Sequence, residues 1–309
     1  MNPKIKQLSD SIGKVIVGKE DTVIKVICAM ISGGHILIED VPGVGKTQFV
    51  SALAKSVNGK FNRVQLTPDV MPSDIVGYSF VDKNTFELEY RQGIAFCNFL
   101  LADEINRASP KVQSGLLEAM EEFSVTVDGV THALPQPFMV LATQNPVETS
   151  GTYRLPEAQM DRFFMRVSMG YPNTAEEMQI LKRTEAGNPI HNIENSEITL
   201  EDVKTLKQEA IKIKVTDSVK EYIIKLSEAT RQTDDVTLGV SPRGSIALFK
   251  AAKARALVYE REFVTPDDVK LLAESVLSHR IILSGNGKNK FKSGNEYIRN
   301  LITEFAVPL

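Results

Sequence analysis

A glycine-rich turn between an apolar segment and a helical segment constrains the fold of this chain more than any other feature. Residues 35–40 (HILIED) are mostly apolar, residues 41–47 (VPGVGKT) form the turn, and a helical pattern follows. A strand, a glycine-rich loop, Lys-Thr and a helix, in that order, make up the P-loop arrangement. In it, backbone N–H groups and the helix N-terminus face phosphate oxygens. The turn therefore predicts an α/β fold with a phosphate-binding site after its first strand.

The side chains of this loop suit a nucleotide bound together with Mg²⁺. Lys46 would supply a positive charge to the β- and γ-phosphates, and Thr47 would offer a hydroxyl to Mg²⁺. One position departs from the general pattern G-x-x-x-x-G-K-[ST], because Asp40 stands where the first glycine is expected. The predicted nucleotide-binding residues of the loop are Pro42, Gly43, Val44, Gly45, Lys46, Thr47 and Gln48.

A second apolar segment ends in two acidic residues. Residues 97–104 (CNFLLADE) indicate a buried strand that leads into Asp103 and Glu104, a pattern typical of a Walker B element. We expect Asp103 to hold Mg²⁺, mainly through water, and Glu104 to polarise the attacking water. The second acid favours hydrolysis over transfer to an acceptor. The guanine-reading pattern N-K-x-D is missing, which disfavours a GTPase.

A third apolar segment, residues 138–145, ends in an amide, Asn145, that is followed by proline. An amide at a strand end beside the first two would orient the water or contact the γ-phosphate. Asn-Pro is also an ordinary turn sequence. The spacing alone leaves both interpretations open.

The two halves of the chain differ in their patterns. In the first half, apolar strands alternate with helices, which indicates a parallel sheet with helices on its faces. The second half shows helix start signals, at Thr199, Ser241 and Thr265, and no convincing strand. Residues 284–294 predict a mobile loop. We predict an α/β nucleotide-binding core over residues 1–172 and an α-helical domain over residues 173–309. The predicted strands are residues 35–40, 62–66, 97–103, 138–145 and 163–169.

Composition and charge narrow the range of functions. The 309 residues carry 36 Lys and Arg against 39 Asp and Glu, a net charge of −3, which disfavours a whole-chain basic field for nucleic acid or anionic lipid. No apolar stretch approaches the ~20 residues of a bilayer span, and the N-terminus lacks an apolar signal core. The two cysteines indicate no disulfide framework, and the four histidines lack zinc-ligand spacing. We expect a cytoplasmic protein of about two domains.

Four segments together resemble the MoxR family of AAA+ ATPases. They are residues 41–47 (VPGVGKT), 103–108 (DEINRA), 142–146 (ATQNP) and 155–163 (LPEAQMDRF). The resemblance covers nearly the whole chain and implies an AAA+ P-loop core with a five-stranded parallel sheet and a C-terminal all-α lid domain. It also implies a homo-oligomer, usually a hexameric ring, that binds ATP and Mg²⁺ between subunits. The energy of hydrolysis would drive conformational work on a separate partner, typically a von Willebrand factor A domain protein, in complex maturation or metal cofactor insertion.

The resemblance assigns roles to residues around the nucleotide. Val17 and Gly18 would lie against adenine, and Asn145 would be the sensor 1 residue. Residues 66–94 would be the helix-2 insert, and residues 123–135 the pre-sensor hairpin. The latter segment also predicts a hairpin on its own, because β-branched residues alternate around Asp-Gly.

Arginines complete the site that the resemblance implies. Arg162 would be an arginine finger that reaches the nucleotide of a neighbouring subunit, with Arg154 as its competitor for that role. Arg243 would be the sensor 2 residue. Arg243 falls in the first turn of a predicted helix, where the helix dipole disfavours a cation. That placement favours an anionic partner for its side chain.

Three other classes remain as alternatives. A DNA-remodelling AAA+ motor is disfavoured because the hairpin at residues 123–135 carries no Lys or Arg to follow phosphates. A metal-chelatase motor subunit is the second alternative. A non-enzymatic P-loop binding module is the third, and Glu104 argues against it.

Overall fold

The structure is a computed structural model that describes residues 1–145, 153–185, 187–193 and 196–305. Its strands are Ile36–Glu39 (β1), Phe61–Gln65 (β2), Gly77–Val81 (β3), Leu88–Gln92 (β4), Phe99–Asp103 (β5), Ser124–Val127 (β6), Val130–Ala133 (β7), Met139–Gln144 (β8), Met165–Val167 (β9), Val236–Leu238 (β10) and Ile282–Leu283 (β11). Its α-helices are Pro3–Gly13 (α1), Glu20–Ser32 (α2), Lys46–Lys55 (α3), Pro72–Val76 (α4), Pro110–Glu122 (α5), Glu157–Met160 (α6), Thr174–Glu185 (α7), Leu200–Lys212 (α8), Asp217–Ala229 (α9), Pro242–Val258 (α10), Pro266–Leu277 (α11), Gly285–Lys290 (α12) and Gly294–Glu304 (α13).

The central sheet has five parallel strands in the order β2-β5-β8-β1-β9. All five predicted strands are confirmed, with bounds within two residues of those expected. Strand β5 is buried along its whole length, as expected for a strand covered on both faces. Because the strands are parallel, their last residues meet at one edge, here called the carboxyl edge (residues 40–47, 103–104 and 144–145). The opposite amino edge includes residues 33–35 and 161–164.

Two antiparallel hairpins form two-stranded sheets of their own. Strands β6 and β7 pair around Asp128 and Gly129, which both have positive φ, 51° and 79°. That geometry suits a two-residue turn whose twist matches the strands, so the predicted hairpin is confirmed. Strands β3 and β4 form a second antiparallel pair within residues 66–94, where the sequence pattern had not indicated strands.

The C-terminal half is built from helices whose starts follow the predicted signals. The Thr199 hydroxyl accepts from the backbone N–H of Asp202, and Ser241 accepts from that of Gly244. Thr265 forms a capping box with Asp268 at the start of α11. In addition, β10 and β11 form a short antiparallel pair that the sequence did not predict.

The mobile loop predicted over residues 284–294 is wrong, because this segment contains the helix α12. The Ser284 hydroxyl caps the helix by accepting from Gly287 N at 3.1 Å, and donates to the Asp234 carbonyl at 2.6 Å. A Cβ on Gly287 would lie 2.0 Å from the Asp235 carbonyl oxygen. The glycine that suggested a loop is therefore needed for close approach of two backbones.

One hydrophobic core extends from the sheet into the helical half. Helix α2 lies between them, and its Ile27 and Ile31 are fully buried in the same cluster as Ile38 of β1 and Leu248 of α10. Each such side chain contributes about 1.5–3 kcal/mol when it leaves water. A second cluster covers the other sheet face and is formed largely with α5. The predicted boundary at residue 172 stays a prediction.

Candidate functional site

The glycine-rich loop has the backbone geometry of a phosphate cradle. Gly43 and Gly45 both have φ of 86°, a left-handed conformation that side chains disfavour. Gly45 caps α3, so the free N–H groups of the helix N-terminus open toward the loop. The Lys46 ammonium donates to the carbonyls of Asp40, at 3.1 Å, and Val41, at 3.3 Å. Lys46, the only side-chain cation within this loop, therefore lies next to the phosphate-binding turn. A bound phosphate would take the place of the two carbonyls as the partner of its ammonium group.

Asp40, which departs from the general P-loop pattern, is buried and links two segments of the chain. Its carboxylate accepts from the Ser168 hydroxyl at 2.7 Å, from Met169 N at 2.5 Å and from Gly170 N at 3.1 Å. Only 6% of the residue is exposed. Three donors compensate the cost of burying this carboxylate. Asp40 therefore fastens the start of the loop to the segment that follows β9.

The two acids lie on the carboxyl edge beside this loop, as predicted. The Thr143 hydroxyl joins them: it donates to Asp103 Oδ1 at 3.2 Å and accepts from Glu104 N at 2.9 Å. Arg63 of β2 donates from Nε to Asp103 Oδ2 at 2.7 Å. Asp103 therefore carries a partner on each carboxylate oxygen, and its orientation is fixed from both neighbouring strands.

Glu104 has an unusual conformation for its residue type. Its φ is 58°, in the left-handed region, which a non-glycine residue rarely occupies and which is frequent at functional sites. Its Oε2 is buried and has no hydrogen-bond partner among the described residues. Arg107 Nε lies 3.2 Å away, close enough for an ion pair but without hydrogen-bond alignment. A buried carboxylate oxygen that lacks a donor has capacity for a water molecule.

Asn145 directly follows β8, between the strand that carries the acids and the strand that leads into the loop. The residue is buried, with 7% of its surface exposed. The structure thus brings the amide to the carboxyl edge. The chain that follows it, residues 146–152, lies outside the described residues.

A cleft with a volume of about 160 Å³ adjoins the loop on the side of α7. Val17, predicted to contact adenine, lines it together with Gly43, Gly45 and Gln48. Gly18, next in the chain, has φ of 68° and turns the backbone at the cleft. The cleft has further walls that the sequence did not reveal: Met169, Gly170, Pro172, Ile180, Arg183, Thr184 and Pro189.

The arginines predicted as finger and sensor 2 lie elsewhere, at the amino edge. Arg162 Nε is 3.2 Å from Glu121 Oε2, and Arg243 donates to the other oxygen of the same carboxylate. Glu121 is thus the anionic partner that the position of Arg243 at a helix N-terminus favoured. The strands between the two edges span roughly 15 Å, beyond the reach of an arginine side chain. Arg162 and Arg243 therefore cannot serve the phosphate loop of their own subunit.

Buried polar groups hold this arginine pair in place. The Arg280 guanidinium donates to Asp161 Oδ1 at 2.8 Å and to the carbonyl of Phe163 at 2.7 Å. Ser241, the cap of α10, donates to Asp161 Oδ2 at 2.7 Å. Burial lowers the pKa of Arg280 to about 10 despite the nearby Asp161 carboxylate, so it remains charged at neutral pH. Asp161 therefore links the segment that carries Arg162 to the helix that carries Arg243.

His35 ties the amino edge to two elements of the core. Its Nδ1 accepts from Val140 N at 2.9 Å, and its Nε2 lies 2.8 Å from the Met120 carbonyl. Because Nδ1 accepts, the ring is neutral and carries its proton on Nε2. Burial lowers the pKa of His35 to about 4, which agrees with this tautomer.

Arg154, the competing candidate for the arginine finger, lies near the carboxyl edge of the sheet rather than the amino edge. Tyr153 N donates to the Asn106 carbonyl at 2.6 Å, just after the acid pair, so this segment starts near the carboxyl edge. Arg154 is exposed there. The two candidates for the arginine finger therefore lie near opposite edges of the sheet. The sequence did not reveal this separation.

Three contributors to the site were missed at the sequence level. Arg63 and Thr143 hold Asp103, and Glu121 holds both arginines of the amino edge. Arg63 and Thr143 sit at ordinary strand positions, where only the register of β2, β5 and β8 brings them beside the acid. Glu121 gave no local signal either, because its partners lie far away in the chain.

Comparisons with known proteins agree with this arrangement. Residues 35–165 match the ATPase family associated with various cellular activities (AAA), and residues 228–300 match the AAA lid domain. The chain is 49% identical to the uncharacterized protein YeaC of Bacillus subtilis, over all of this chain and 96% of that protein. It is 38% identical to the chaperone MoxR1 of Mycobacterium tuberculosis, over 96% of this chain and 80% of that protein.

A crystal structure also shares the fold. It is that of a "putative ATPase" from Cytophaga hutchinsonii, 38% identical, with a TM-score of 0.91 over 99% of this chain and 95% of that one. Within the described ranges, no helix is both long and apolar enough to cross a bilayer. The family match, these relatives and the arrangement of the carboxyl edge lead to one conclusion: the chain belongs to the MoxR family of AAA+ ATPases and hydrolyses ATP.

Proposed function

We propose that the chain hydrolyses Mg²⁺-bound ATP at the carboxyl edge and uses the energy to remodel a separate partner protein. The observation that carries the chemical part is Glu104. Its carboxylate has a buried oxygen without a hydrogen-bond partner among the described residues, held in a left-handed backbone next to Asp103. A general base needs such an oxygen to accept from water, and Arg107, 3.2 Å away as an ion-pair partner, leaves that hydrogen bond unmade.

The residues around Glu104 suit the binding of the substrate. The backbone of residues 42–47 surrounds the phosphates, and Lys46 exchanges its carbonyl contacts for the β- and γ-phosphates. The Thr47 hydroxyl and the Asp103 carboxylate are oxygen donors of the kind that Mg²⁺ prefers, so these residues would hold the ion. When bound, Mg²⁺ neutralises charge that develops on the phosphates. Val17 and Gly18 would receive adenine in the cleft.

Glu104 would accept a proton from the attacking water, and Asn145 would orient that water or the γ-phosphate. The Lys46 ammonium group stabilises the leaving diphosphate. Arg162 and Arg243 would come from a neighbouring subunit and stabilise charge on the transferred phosphoryl group. Their position at the amino edge supports this, because it excludes action within one chain. A head-to-tail interface of this type closes into a ring, and we propose a homohexamer.

The remodelling role is supported by the similarity to a relative named as a chaperone. The partner would be a separate protein with a von Willebrand factor A domain, met in the cytoplasm during complex maturation or metal cofactor insertion. Addition of such a partner should stimulate ATP turnover, whereas single-stranded DNA should not. Stimulation by DNA alone would favour the nucleic-acid motor instead.

The substitution Glu104→Gln tests the catalytic assignment. It keeps the size and hydrogen-bonding capacity of the side chain but removes the basic oxygen. Positioned proton transfer contributes ~10²–10⁴-fold, so turnover should fall by that factor while ATP binding is retained. Phosphate release and binding of a fluorescent ATP analogue measure the two properties separately. Near wild-type turnover would show that water is activated by another group.

A further inference from the structure

An apolar groove lies beside the pocket of Arg162 and Arg243, on a face formed by α2, α8 and α10. Ile211 is 59% exposed at its rim, and Phe249 contributes a half-buried ring. The groove continues the arginine pocket, because Ser32 and Lys250 line both. The charged residues among its described lining are all lysines, namely Lys207, Lys250 and Lys253.

Helix α10 connects the groove to the arginine pair. Arg243, Ile246, Lys250 and Lys253 follow one another at intervals of three or four residues, so they lie along one side of the helix. Ile246 is 54% exposed, and it lines the arginine pocket. A molecule that contacts Arg243 from outside therefore meets an apolar and basic stripe next to it.

Helix α7 presents the opposite chemistry beside the nucleotide cleft. It has no buried residue, although Met178 and Leu181 are apolar and 52% and 58% exposed. Glu177 and Glu185 lie four residues on either side of Leu181, so two acids adjoin the apolar pair on the same face, and Lys182, four residues after Met178, lies at its other margin. A helix of 12 residues is marginal in water without packing. Its exposed face offers a partner two apolar side chains next to two acids and one lysine.

We propose that α7 of one subunit docks in the groove of a second copy of this chain. The inference rests on the proposed function, since it requires that Arg162 and Arg243 approach the nucleotide of the neighbouring subunit. Helix α7 borders that nucleotide, and the groove borders those arginines. Met178 and Leu181 would cover Ile211 and Phe249, and the flanking acids would face the lysines. The charges set the orientation of the helix, and the apolar contact supplies most of the affinity.

This docking gives the nucleotide a route to the interface. Ile180, Arg183 and Thr184 face the cleft from the inner side of α7, and Arg183 donates to the carbonyls of Gly13 and Lys14. A nucleotide bound in the cleft would therefore contact α7, the same helix that we propose contacts the next subunit. We expect nucleotide to change the strength of the contact.

Cysteine cross-linking between chains tests the proposal on the full-length protein. Leu181→Cys and Ile211→Cys are introduced in separate, differently tagged chains, which are then mixed with a non-hydrolysable ATP analogue and a short bis-maleimide. The native Cys28 and Cys97 are buried and should not compete. Cross-linked heterodimers should form from this mixture. Leu181→Cys mixed with Ile224→Cys, an exposed position on α9, should give few.

Charge exchange supplies a second measurement. Glu177→Lys with Glu185→Lys should raise the subunit concentration for half-maximal ATP turnover roughly three- to tenfold. Lys207→Glu with Lys250→Glu should do the same. All four changes in one chain should restore assembly, because every subunit then offers both reversed faces.

The outcomes separate this inference from the function on which it rests. ATP turnover of the uncross-linked cysteine variants, with absence of the heterodimer, would overturn the docking and leave the ATPase mechanism intact. A chain that remains monomeric with nucleotide would also overturn it. Cross-linking together with absent turnover would support the docking while contradicting the proposed mechanism.

Discussion

The two edges of one sheet carry the two groups of residues that we propose act together in ATP hydrolysis. The carboxyl edge supplies backbone N–H groups, one lysine and two acids, whereas the amino edge supplies Arg162 and Arg243 on a shared glutamate. The roughly 15 Å between them keeps Arg162 and Arg243 away from the phosphate loop of their own subunit.

The edges also differ in how they are held. Neighbouring strands build the carboxyl edge, with Thr143 bridging the two acids. Contacts between the sheet and the helical half build the amino edge: Asp161 pairs with Arg280, and Glu121 pairs with Arg243. The second edge therefore forms only when the helical half packs on the sheet.

Removal of Arg162 should reduce ATP turnover more than any other change predicted here. Normal turnover without Arg162 would contradict the proposal that the two edges act together. An arginine finger is worth ~10³–10⁵ in rate in GTPases, so Arg162→Ala should bind ATP almost normally and turn it over slowly. Mixing it with Lys46→Ala subunits should restore part of the activity, measured as phosphate release. In mixed rings, an Arg162→Ala subunit with an intact loop can border a Lys46→Ala subunit that still has its arginine.

The matched control for this mixing experiment is Arg154→Ala. Because Arg154 lies toward the carboxyl edge, we expect a smaller loss of turnover and less rescue. Lack of recovery for Arg162→Ala at every ratio, with mixed assembly confirmed by native mass spectrometry, would assign Arg162 a structural role. Rescue of Arg154→Ala instead would transfer the finger role to it.

The contrast explains what could be predicted from the sequence. The P-loop, the acid pair and the five strands are local patterns, in which residues close in sequence are close in space. Arg63, Thr143 and Glu121 depend on strand register or on the packing of the helical half, and no local pattern encodes these. The error at residues 284–294 has the same origin: a glycine-rich segment forms α12 because Ser284 caps it and Asp235 packs against Gly287.

Acid should weaken the amino edge through His35. The unfolded histidine takes up a proton near pH 6.5, whereas burial lowers the pKa of the folded one to about 4. Unfolding therefore takes up a proton between these values, and the stability present above pH 6.5 is lost as the pH falls through 4. The difference corresponds to about 3 kcal/mol. Urea denaturation at pH 7, 5.5 and 4.5 measures the loss.

His35→Gln isolates this contribution, because burial also lowers the pKa of His279. The variant should be less stable at pH 7, since it forfeits part of the contacts to Val140 and Met120, but its stability should depend less on pH. His191→Gln, at an exposed position, should leave the pH dependence unchanged. A wild-type slope in His35→Gln would contradict a neutral, buried His35.

Substitution of Asp40 should have the smallest effect, and it tests which part of the carboxyl edge this residue supports. Asp40→Gly restores the general P-loop pattern but removes the carboxylate that holds Ser168, Met169 and Gly170. Met169 and Gly170 line the cleft in which we propose that adenine binds, whereas Lys46 contacts Asp40 through its backbone carbonyl alone. Charged hydrogen bonds contribute roughly 1.5–3 kcal/mol each, part of which the freed segment would recover from water, so ATP affinity should fall about tenfold. Tripolyphosphate, which has no base, should bind within about twofold of wild type by competition with the fluorescent analogue.

Asp40→Asn is the matched control: it keeps an acceptor for Ser168 and Gly170 but places an amide against Met169 N, so its loss of ATP affinity should be intermediate. An equal fall for ATP and tripolyphosphate would mean that Asp40 supports the phosphate cradle rather than the wall of the cleft.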